Sequence, residues 1–227
     1  MLRIAFERQL VQINDEILLL GSMVEQSILS AVDALKRRDV VRARQIYQHD
    51  TEINEKRFAI ENAILITIAT QQPIAHDLRK LTANLEIITE LERMGDYAKG
   101  IAKVIIKLGD QPIPIPYNEL GRMGEKAVSM LHRALSAFIA EDVNQASTIP
   151  TEDDEVDTLY NTVHHMMVKE MIANPEIIDH ANQVMWVAHN LERAADRVTN
   201  ICERTVFIAT GELLEIEPSD DEEEVSS

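Results

Sequence analysis

Cysteine, aromatic residues and turn formers are all scarce in this sequence. The 227-residue chain has one cysteine, Cys202, so no disulfide can form within it, which favours a reducing compartment. Aromatic residues make up only 4% of the chain, and seven glycines and seven prolines are few for its length. Because strands favour β-branched and aromatic residues, this composition predicts long helices with aliphatic cores.

Basic charge is also in short supply. There are 22 Lys and Arg residues against 39 Asp and Glu residues, which gives a formal net charge of −17. Eight of the acids lie between Glu212 and Glu224 without a base among them, and the rest of the chain is acidic as well. Nucleic acids are bound by basic surfaces, so the composition argues against a nucleic-acid partner and favours cations or basic protein surfaces.

Long hydrophobic runs are absent too. The longest apolar candidate, 63–69, is far below the roughly 20 residues of a membrane span. The first eight residues contain no apolar core of signal-peptide length. We therefore expect a cytoplasmic protein that meets a membrane only through its partners.

What the sequence does contain is a helical periodicity that occurs twice. Apolar residues recur at spacings of three and four through most of the chain, which predicts six amphipathic helices. Asp39 and Asp142, 103 residues apart, each have the side chain and position of a helix N-cap. The segment 50–54 is matched at the same offset by 153–157, and after the next turn the offset becomes 100.

The repeat predicts an all-α fold of two tandem three-helix bundles. The proline-dense segment 112–116 is incompatible with a helix and is expected to be a stiff, extended connection. Pro150 falls inside the fifth helix and should kink it or restart it at Thr151. The predicted parts are a first unit over 1–110, a linker over 111–117, a second unit over 118–211 and a disordered acidic tail over 212–227.

Two similar stretches, Leu91-Glu92-Arg93-Met94-Gly95-Asp96 and Leu191-Glu192-Arg193-Ala194-Ala195-Asp196, concentrate carboxylates. Each has a Glu and an Asp four residues apart, on one face of a helix. The preceding helix of each unit carries a second pair at the same distance from the turn, so an antiparallel hairpin brings four oxygen-bearing side chains to one level. The two predicted quartets are Asp50, Asn54, Glu92 and Asp96 in the first unit, and Asp153, Asp157, Glu192 and Asp196 in the second.

One interpretation is that these side chains are ordinary surface acids. Charged pairs at this spacing are common on solvated helix faces, and residues 151–155 also resemble the acidic first turn of a helix. Arg93 and Arg193 would then neutralise the aspartates of their own helices at i, i+3.

The alternative is a cation site in each unit, which two quartets mirrored about two turns favour. Carboxylates are hard ligands, so magnesium, manganese, calcium or iron would suit these sites better than a structural zinc ion. His189 lies one turn before Glu192 and could join the second site, although its counterpart in the first unit is Thr89.

Catalytic constellations are not found in the sequence. No histidine follows a glutamate by three residues, as the di-iron carboxylate enzymes of helical bundles require. Cys202 has no neighbouring histidine and acid, and there is no phosphate-binding glycine loop of Walker type. We therefore do not expect an enzyme, and a carboxylate-bridged redox enzyme is the weakest of the alternatives.

The carboxylate motifs resemble a known family. The stretches 91–96 and 190–196 are similar to the paired Glu-Arg-Ile-Gly-Asp signatures of the PhoU family of phosphate-transport accessory proteins. Residues 72–79 resemble the first hairpin turn of that family, and 200–203 resemble the segment after its second signature. The resemblance reaches to about Gly211 and implies two three-helix bundles. It also implies multinuclear clusters of iron, zinc, manganese or magnesium on the eight quartet residues.

The resemblance further implies a cytoplasmic regulator, often a homodimer. Such proteins damp uptake by the phosphate ABC transporter, with its ATPase as a partner. They also relay phosphate sufficiency to a membrane sensor histidine kinase, so that the phosphate-starvation response stays off. The competing hypothesis is a metal-free helical adaptor whose acidic faces dock basic surfaces of partner proteins.

Overall fold

The computed structural model describes residues 2–109, 111–213 and 215, and this described part is helical without a strand. Six long helices and one short one follow each other: α1 (Leu2–Arg37), α2 (Val40–Gln71), α3 (Ala75–Leu108), α4 (Tyr117–Ala140), α5 (Val143–Thr148), α6 (Asp153–Ala173) and α7 (Ile178–Thr210). Single turns of 3-10 helix, Ile149–Glu152 and Pro175–Ile177, precede α6 and α7. The predicted all-α class is confirmed.

The helices begin and end at the residues that their chemistry favours. The carboxylates of Asp39 and Asp142 each accept a hydrogen bond from the backbone N–H three residues on, at 2.8 and 3.1 Å. Both predicted N-caps are therefore confirmed. Gly211 ends α7 in the left-handed conformation, with φ of 81°, which glycine adopts without steric cost.

Each repeat folds as a hairpin of two long helices with a third packed against it. In the first unit α2 and α3 form the hairpin and α1 contacts both. In the second unit α6 and α7 form the hairpin and α4 contacts both, with the short α5 between α4 and α7. This is the tandem three-helix arrangement that the internal repeat predicts.

The two units share one hydrophobic core. α3 packs along α7 and α1 packs along α4, so these four helices form a closed ring, with α2 and α6 on its outside. The buried apolar residues of both units belong to a single cluster. At the α3–α7 contact, Gly100 lets the amide of Asn190 approach to 3.4 Å from where a Cβ would be. The sequence predicts the units but not this packing between them.

Pro150 breaks the fifth helix, as expected, but the restart is later than predicted. α5 ends at Thr148, the 3-10 turn follows, and α6 begins at Asp153 instead of Thr151. Because proline cannot donate a backbone hydrogen bond, the tighter turn carries the chain past it before the α-helix resumes. As a consequence, Asp153 is the first residue of α6.

Pro73 lies between α2 and α3 and not in the first turn of α3, although a proline at that point of the sequence is typical of a helix start. α2 ends at Gln71, Gln72 takes a left-handed conformation with φ of 50°, and α3 begins at Ala75. A left-handed residue followed by proline ends one helix and reverses the chain before the next can start.

Residues 111–116 connect α3 to α4 without regular secondary structure. The Arg38 guanidinium donates to the Ile113 carbonyl at 3.1 Å and to the Tyr117 hydroxyl at 3.0 Å, which fixes this connection to the end of α1. At the other end of the chain, the predicted acidic tail lies outside the described residues, apart from Glu212, Leu213 and Glu215.

One helix of the described part, α1, is long and apolar enough to cross a membrane by length and composition. Half of its apolar window is buried inside the protein, where it contacts α2, α3 and α4. The core helix of a globular protein passes the same test, because its buried face is continuous and apolar.

In each hairpin, the size of one residue on the second helix is matched by the size of its neighbour on the first helix. A Cβ on Gly95 would lie 3.1 and 3.2 Å from two side-chain carbons of Ile53, so α3 approaches α2 there only because residue 95 has no side chain. At the equivalent positions the second unit has Ala195 and Val156. The added methyl group on α7 is thus compensated by one methylene fewer on α6.

This matching predicts the outcome of two alanine substitutions and one compensating double substitution, measured by chemical denaturation. Gly121 lies in α4 with nothing within 4 Å of a Cβ, so Gly121→Ala should raise the free energy of unfolding by about 1 kcal/mol through helix propensity. Gly95→Ala should lose that gain, because overpacking costs about 1–3 kcal/mol. Adding Ile53→Val to Gly95→Ala should restore it. Equal gains at both glycines would contradict the packing argument.

Candidate metal centre

The α2–α3 hairpin brings the four predicted residues of the first unit together. Asp50 is almost fully buried, and its Oδ2 accepts a hydrogen bond from the Asn54 amide at 3.0 Å. Lys99 Nζ lies 2.6 Å from the same Oδ2 and 3.6 Å from Asp96 Oδ1. Glu92 lies within electrostatic range of both aspartates. A lysine of the chain therefore bridges carboxylates from the two helices.

The α6–α7 hairpin assembles the second quartet without such a bridge. Asp153 is 6% exposed and lies within electrostatic range of Asp157, Glu192 and Asp196. Asp153 Oδ1 and Glu192 Oε2 are buried and have no hydrogen-bond partner among the described residues. Buried polar atoms in native proteins nearly always have a partner, so a donor or a cation beside these two oxygens would stabilise them.

The electrostatic cost of the second quartet shows in its protonation equilibria. Burial, reinforced by the neighbouring carboxylates, raises the pKa of Asp153 from 3.8 to about 7. Burial and then neighbouring carboxylates also raise the pKa of Glu192 from 4.5 to about 6, against the opposing charges of Arg193 and Arg197, and they raise the pKa of Asp157. In the first unit burial and then Asp96 raise the pKa of Glu92, but the charge of Arg57 opposes them.

The acids that flank Asp153 behave as the surface interpretation expects. Glu152 makes a two-pronged contact with Arg133, at 2.5 and 2.8 Å, and a third contact with Lys126 at 2.8 Å. The Arg133 hydrogen bonds are the main reason that the pKa of Glu152 falls to about 2. Glu155 contacts the same lysine at 2.8 Å. Basic residues of α4 thus neutralise the acids on either side of Asp153, but not Asp153 itself.

The predicted pairing of Arg93 and Arg193 with the aspartates of their own helices is wrong. Arg93 pairs with Glu90 at 2.9 Å, because the glutamate lies one turn back on the face that packs against α7. Arg193 lies over the ring of Tyr97, with its guanidinium carbon 5.5 Å from the ring centroid. Both arginines therefore make their contacts where the two units meet, while their charges still oppose the raised pKa of Glu92 and of Glu192.

Sequence reasoning missed the cations that do reach the first quartet. Lys99 follows Asp96 by three residues, and this spacing was a signal that could have been used. Arg57 follows Asn54 by three residues on α2, so the hairpin register that places Asn54 level with Glu92 was a signal for it as well. Its charge acts on Glu92 while its guanidinium pairs with Glu61 at 2.8 Å.

His189 lies beside the second quartet. Its Nδ1 is 3.3 Å from Glu192 Oε2, a distance that satisfies an ion pair but without the geometry of a hydrogen bond. Its ring also neighbours Trp186 and Tyr160, with centroids 5.6 and 6.3 Å apart. The imidazole is thus placed where it can join the carboxylates or simply pack on the aromatic rings.

A hard cation fits the chemistry of the second quartet better than that of the first. In the described part of the chain, no three His, Cys, Asp or Glu side chains already converge as a preformed metal site. Like charges keep carboxylates apart, and a cation between them removes that repulsion. Asp153, Asp157, Glu192 and Asp196 offer only oxygen donors, which suit magnesium, manganese, calcium or iron.

Comparisons with known proteins give one consistent result. The model of the PhoU domain matches residues 17–105 and again 120–205. A protein of Clostridium acetobutylicum named phosphate-specific transport system accessory protein PhoU homolog is 35% identical, over 95% of this chain and 99% of its own length. A Streptococcus pneumoniae protein of the same name is 32% identical, over 95% of this chain and all of its own length.

Two solved structures have the same fold. One is the phosphate transport system regulatory protein PhoU from Streptococcus pneumoniae, with a TM-score of 0.85 and 32% identity over 92% of this chain and 99% of its own. The other is PhoU from Pseudomonas aeruginosa, with a TM-score of 0.86 and 30% identity over 91% of this chain and all of its own.

Proposed function

The chain belongs to the PhoU family, and from this premise we propose that it is a metal-binding regulator of phosphate uptake and of the phosphate-starvation response. Its partners would be the ATPase of the phosphate ABC transporter and a sensor histidine kinase, and it would act in the cytoplasm as a homodimer. The names of its relatives support the link to phosphate transport. The metal, the kinase and the dimer are proposals.

The proposed metal binding is supported most directly by the burial of the Asp153 carboxylate and by its oxygen without a hydrogen-bond partner. A buried carboxylate with an unpartnered oxygen, among three further carboxylates, is costly unless a cation lies between them. Asp153 and Asp157 come from α6, and Glu192 and Asp196 come from α7. A bound manganese, magnesium, zinc or iron ion would supply the positive charge and would tie the start of α6 to the middle of α7.

The strongly acidic composition favours basic protein surfaces as partners. A chain with a formal charge of −17 associates most readily with basic protein surfaces, because complementary charge speeds encounter and suppresses wrong partners. A metal ion in the second unit would change both the charge and the stiffness of one face. This gives a physical route by which metal occupancy could affect docking.

The proposal predicts a double phenotype for Asp153→Ala combined with Glu192→Ala. The purified variant should lose the metal that elemental analysis finds in the wild-type protein prepared without chelators. When it replaces the wild-type gene, phosphate-starvation genes should be expressed in rich phosphate. Glu86→Ala, an exposed acid on α3, is the control and should change neither result. Wild-type protein that binds no cation even after manganese or iron is added would contradict the metal part.

A metal-free adaptor is the second candidate. It is favoured by the lack of a preformed metal site among the described residues and by the exposure of Asp157 and Asp196. Under this hypothesis Glu192→Ala with Asp196→Ala should weaken partner binding but change stability by no more than about 0.5 kcal/mol, with or without metal. Under the leading proposal the same variant loses the stabilisation that added metal gives.

A further inference from the structure

Lys99 reaches two carboxylates of the first quartet, one from each helix of the hairpin. Its Nζ is 2.6 Å from Asp50 Oδ2 on α2 and 3.6 Å from Asp96 Oδ1 on α3. Asp50 is 4% exposed, so the ammonium group of Lys99 pairs with a buried carboxylate and does not form an ordinary surface ion pair. Ammonium–carboxylate hydrogen bonds of this length are among the stronger ones in proteins.

A second donor also engages the oxygen of Asp50 that Lys99 contacts. The Asn54 amide nitrogen donates to the same Oδ2 at 3.0 Å, so that oxygen already accepts from two donors. Arg57 adds positive charge next to Glu92, the remaining carboxylate of the group. Three carboxylates therefore face two cations and a neutral amide.

The second unit has none of these features at the equivalent positions. Thr199 stands where Lys99 is, Tyr160 where Arg57 is, and Asp157 where Asn54 is. Arg193 and Arg197 act electrostatically on Glu192, and Arg197 lies near Asp196. Among the described residues, no lysine or arginine opposes the raised pKa of Asp153 or Asp157. Asp153, the equivalent of Asp50, is equally buried but keeps an oxygen without a hydrogen-bond partner.

The arginines near the second quartet do not fill this gap. Arg197 reaches only the exposed Asp196, with Nη2 at 3.6 Å from Oδ2, while its Nη1 lies 3.5 Å from Glu90 on α3. Arg193 lies over Tyr97. Neither guanidinium contacts Asp153, which is the carboxylate most in need of a counter-charge.

We propose that Lys99 replaces the metal ion of the first quartet, so that the protein binds metal in its second unit only. This departs from what the family resemblance implies, which is a metal cluster in each unit. The Lys99 ammonium group is part of the chain and is therefore present at every metal concentration. A divalent ion would have to displace it from the buried Asp50 carboxylate, and the Asn54 amide would have to rotate so that its oxygen faces the ion. The identity of the residue at 99 and 199 thus determines how many metal centres the chain has.

The inference rests on the proposed metal binding and is tested by exchanging these two residues. Lys99→Thr copies the second unit into the first, and Thr199→Lys does the reverse. Mn²⁺ is titrated into each purified, chelator-treated protein, and free Mn²⁺ is measured by electron paramagnetic resonance while calorimetry gives the stoichiometry. Lys103→Thr is the matched control, because Lys103 is an exposed lysine one turn further along α3.

The expected results differ in direction for the two variants. Lys99→Thr should gain a second class of Mn²⁺ sites, which Asp50→Asn removes again, and its melting temperature should rise more on adding Mn²⁺ than that of the wild type. Thr199→Lys should weaken Mn²⁺ binding by about tenfold or more and should melt at a higher temperature than the wild type in chelator. Lys103→Thr should match the wild type.

The inference and the proposed function fail in distinguishable ways. Wild-type protein that keeps tight Mn²⁺ binding after Asp153→Asn and loses it after Asp50→Asn would overturn the inference while leaving a metal-binding regulator. A Lys99→Thr variant that gains no Mn²⁺ would overturn it as well. Wild-type protein without any Mn²⁺, together with binding by Lys99→Thr, would support the role of Lys99 and contradict the proposed metal centre.

Discussion

Asp153→Asn is expected to stabilise the metal-free protein at pH 8, although it alters a buried residue. A pKa raised from 3.8 to about 7 corresponds to about 4 kcal/mol of destabilisation by the ionised carboxylate, at about 1.4 kcal/mol per unit. Asparagine removes the charge but still buries an unpaired amide, which costs about 1–3 kcal/mol. The net gain should be about 1–3 kcal/mol, or roughly 3–8 °C in melting temperature.

The sign of the pH dependence follows from the raised pKa. Between the unfolded pKa near 3.8 and the folded pKa of about 7, the folded wild-type protein binds more protons than the unfolded chain. Its stability therefore rises as the pH falls from 8 towards 5, and Glu192, with a pKa of about 6, contributes in the same direction. The advantage of Asp153→Asn should shrink over this range and disappear near pH 5.

Asp50→Asn is the matched control and should have the opposite sign. Asp50 occupies the equivalent position and is as buried as Asp153, but its carboxylate is paired with Lys99. Removing its charge strips a lysine of its partner and should cost about 1–2 kcal/mol, after allowing for the partial exposure of that lysine. Thermal melts of both variants in chelator at pH 8 give the comparison. Two changes of the same sign would show that the quartets do not differ as described.

Glu90→Ala should clearly destabilise the contact between the units. Glu90 is 8% exposed and lies 2.9 Å from Arg93 on its own helix and 3.5 Å from Arg197 on α7. Truncating one partner of a buried pair leaves the other charge uncompensated, which costs about 3–5 kcal/mol when burial is complete. Since Arg197 retains some exposure, we expect a loss of about 2–3 kcal/mol in chemical denaturation.

The control for Glu90→Ala lies one turn away on the same two helices. Glu86 on α3 pairs with Arg204 on α7 at 3.1 Å, but its side chain is 55% exposed. Exposed ion pairs contribute about 0–1 kcal/mol, so Glu86→Ala should change stability little. Both variants should unfold in one transition, because the two units share a core. Separate unfolding of the units would contradict that packing.

Much of the fold could be predicted because it follows from local signals. The N-caps at Asp39 and Asp142, the stop at Gly211 and the break at Pro150 each depend on a few neighbouring residues. The register of the hairpins could be predicted as well, since it depends only on the distance of each residue from the turn. The exact restart at Asp153 could not, because it depends on how the chain passes the proline.

The packing between the units and the charge balance of the quartets could not be predicted in the same way. Periodicity shows that α3 and α7 each have a buried apolar face, but it does not show that these two faces pack against each other. Whether Lys99 reaches Asp50 on another helix depends on the path of a long side chain. The sequence repeat predicts two equivalent quartets, and the difference between them is visible only in the contacts of Asp50 and Asp153.

Anomalous diffraction at the manganese edge, from crystals grown with Mn²⁺, tests the central claim most directly. The account predicts an anomalous peak among the oxygens of Asp153, Asp157, Glu192 and Asp196, and no peak beside Asp50, where Lys99 should keep its contact. Peaks of equal height at both quartets, or a second quartet without any peak, would contradict it.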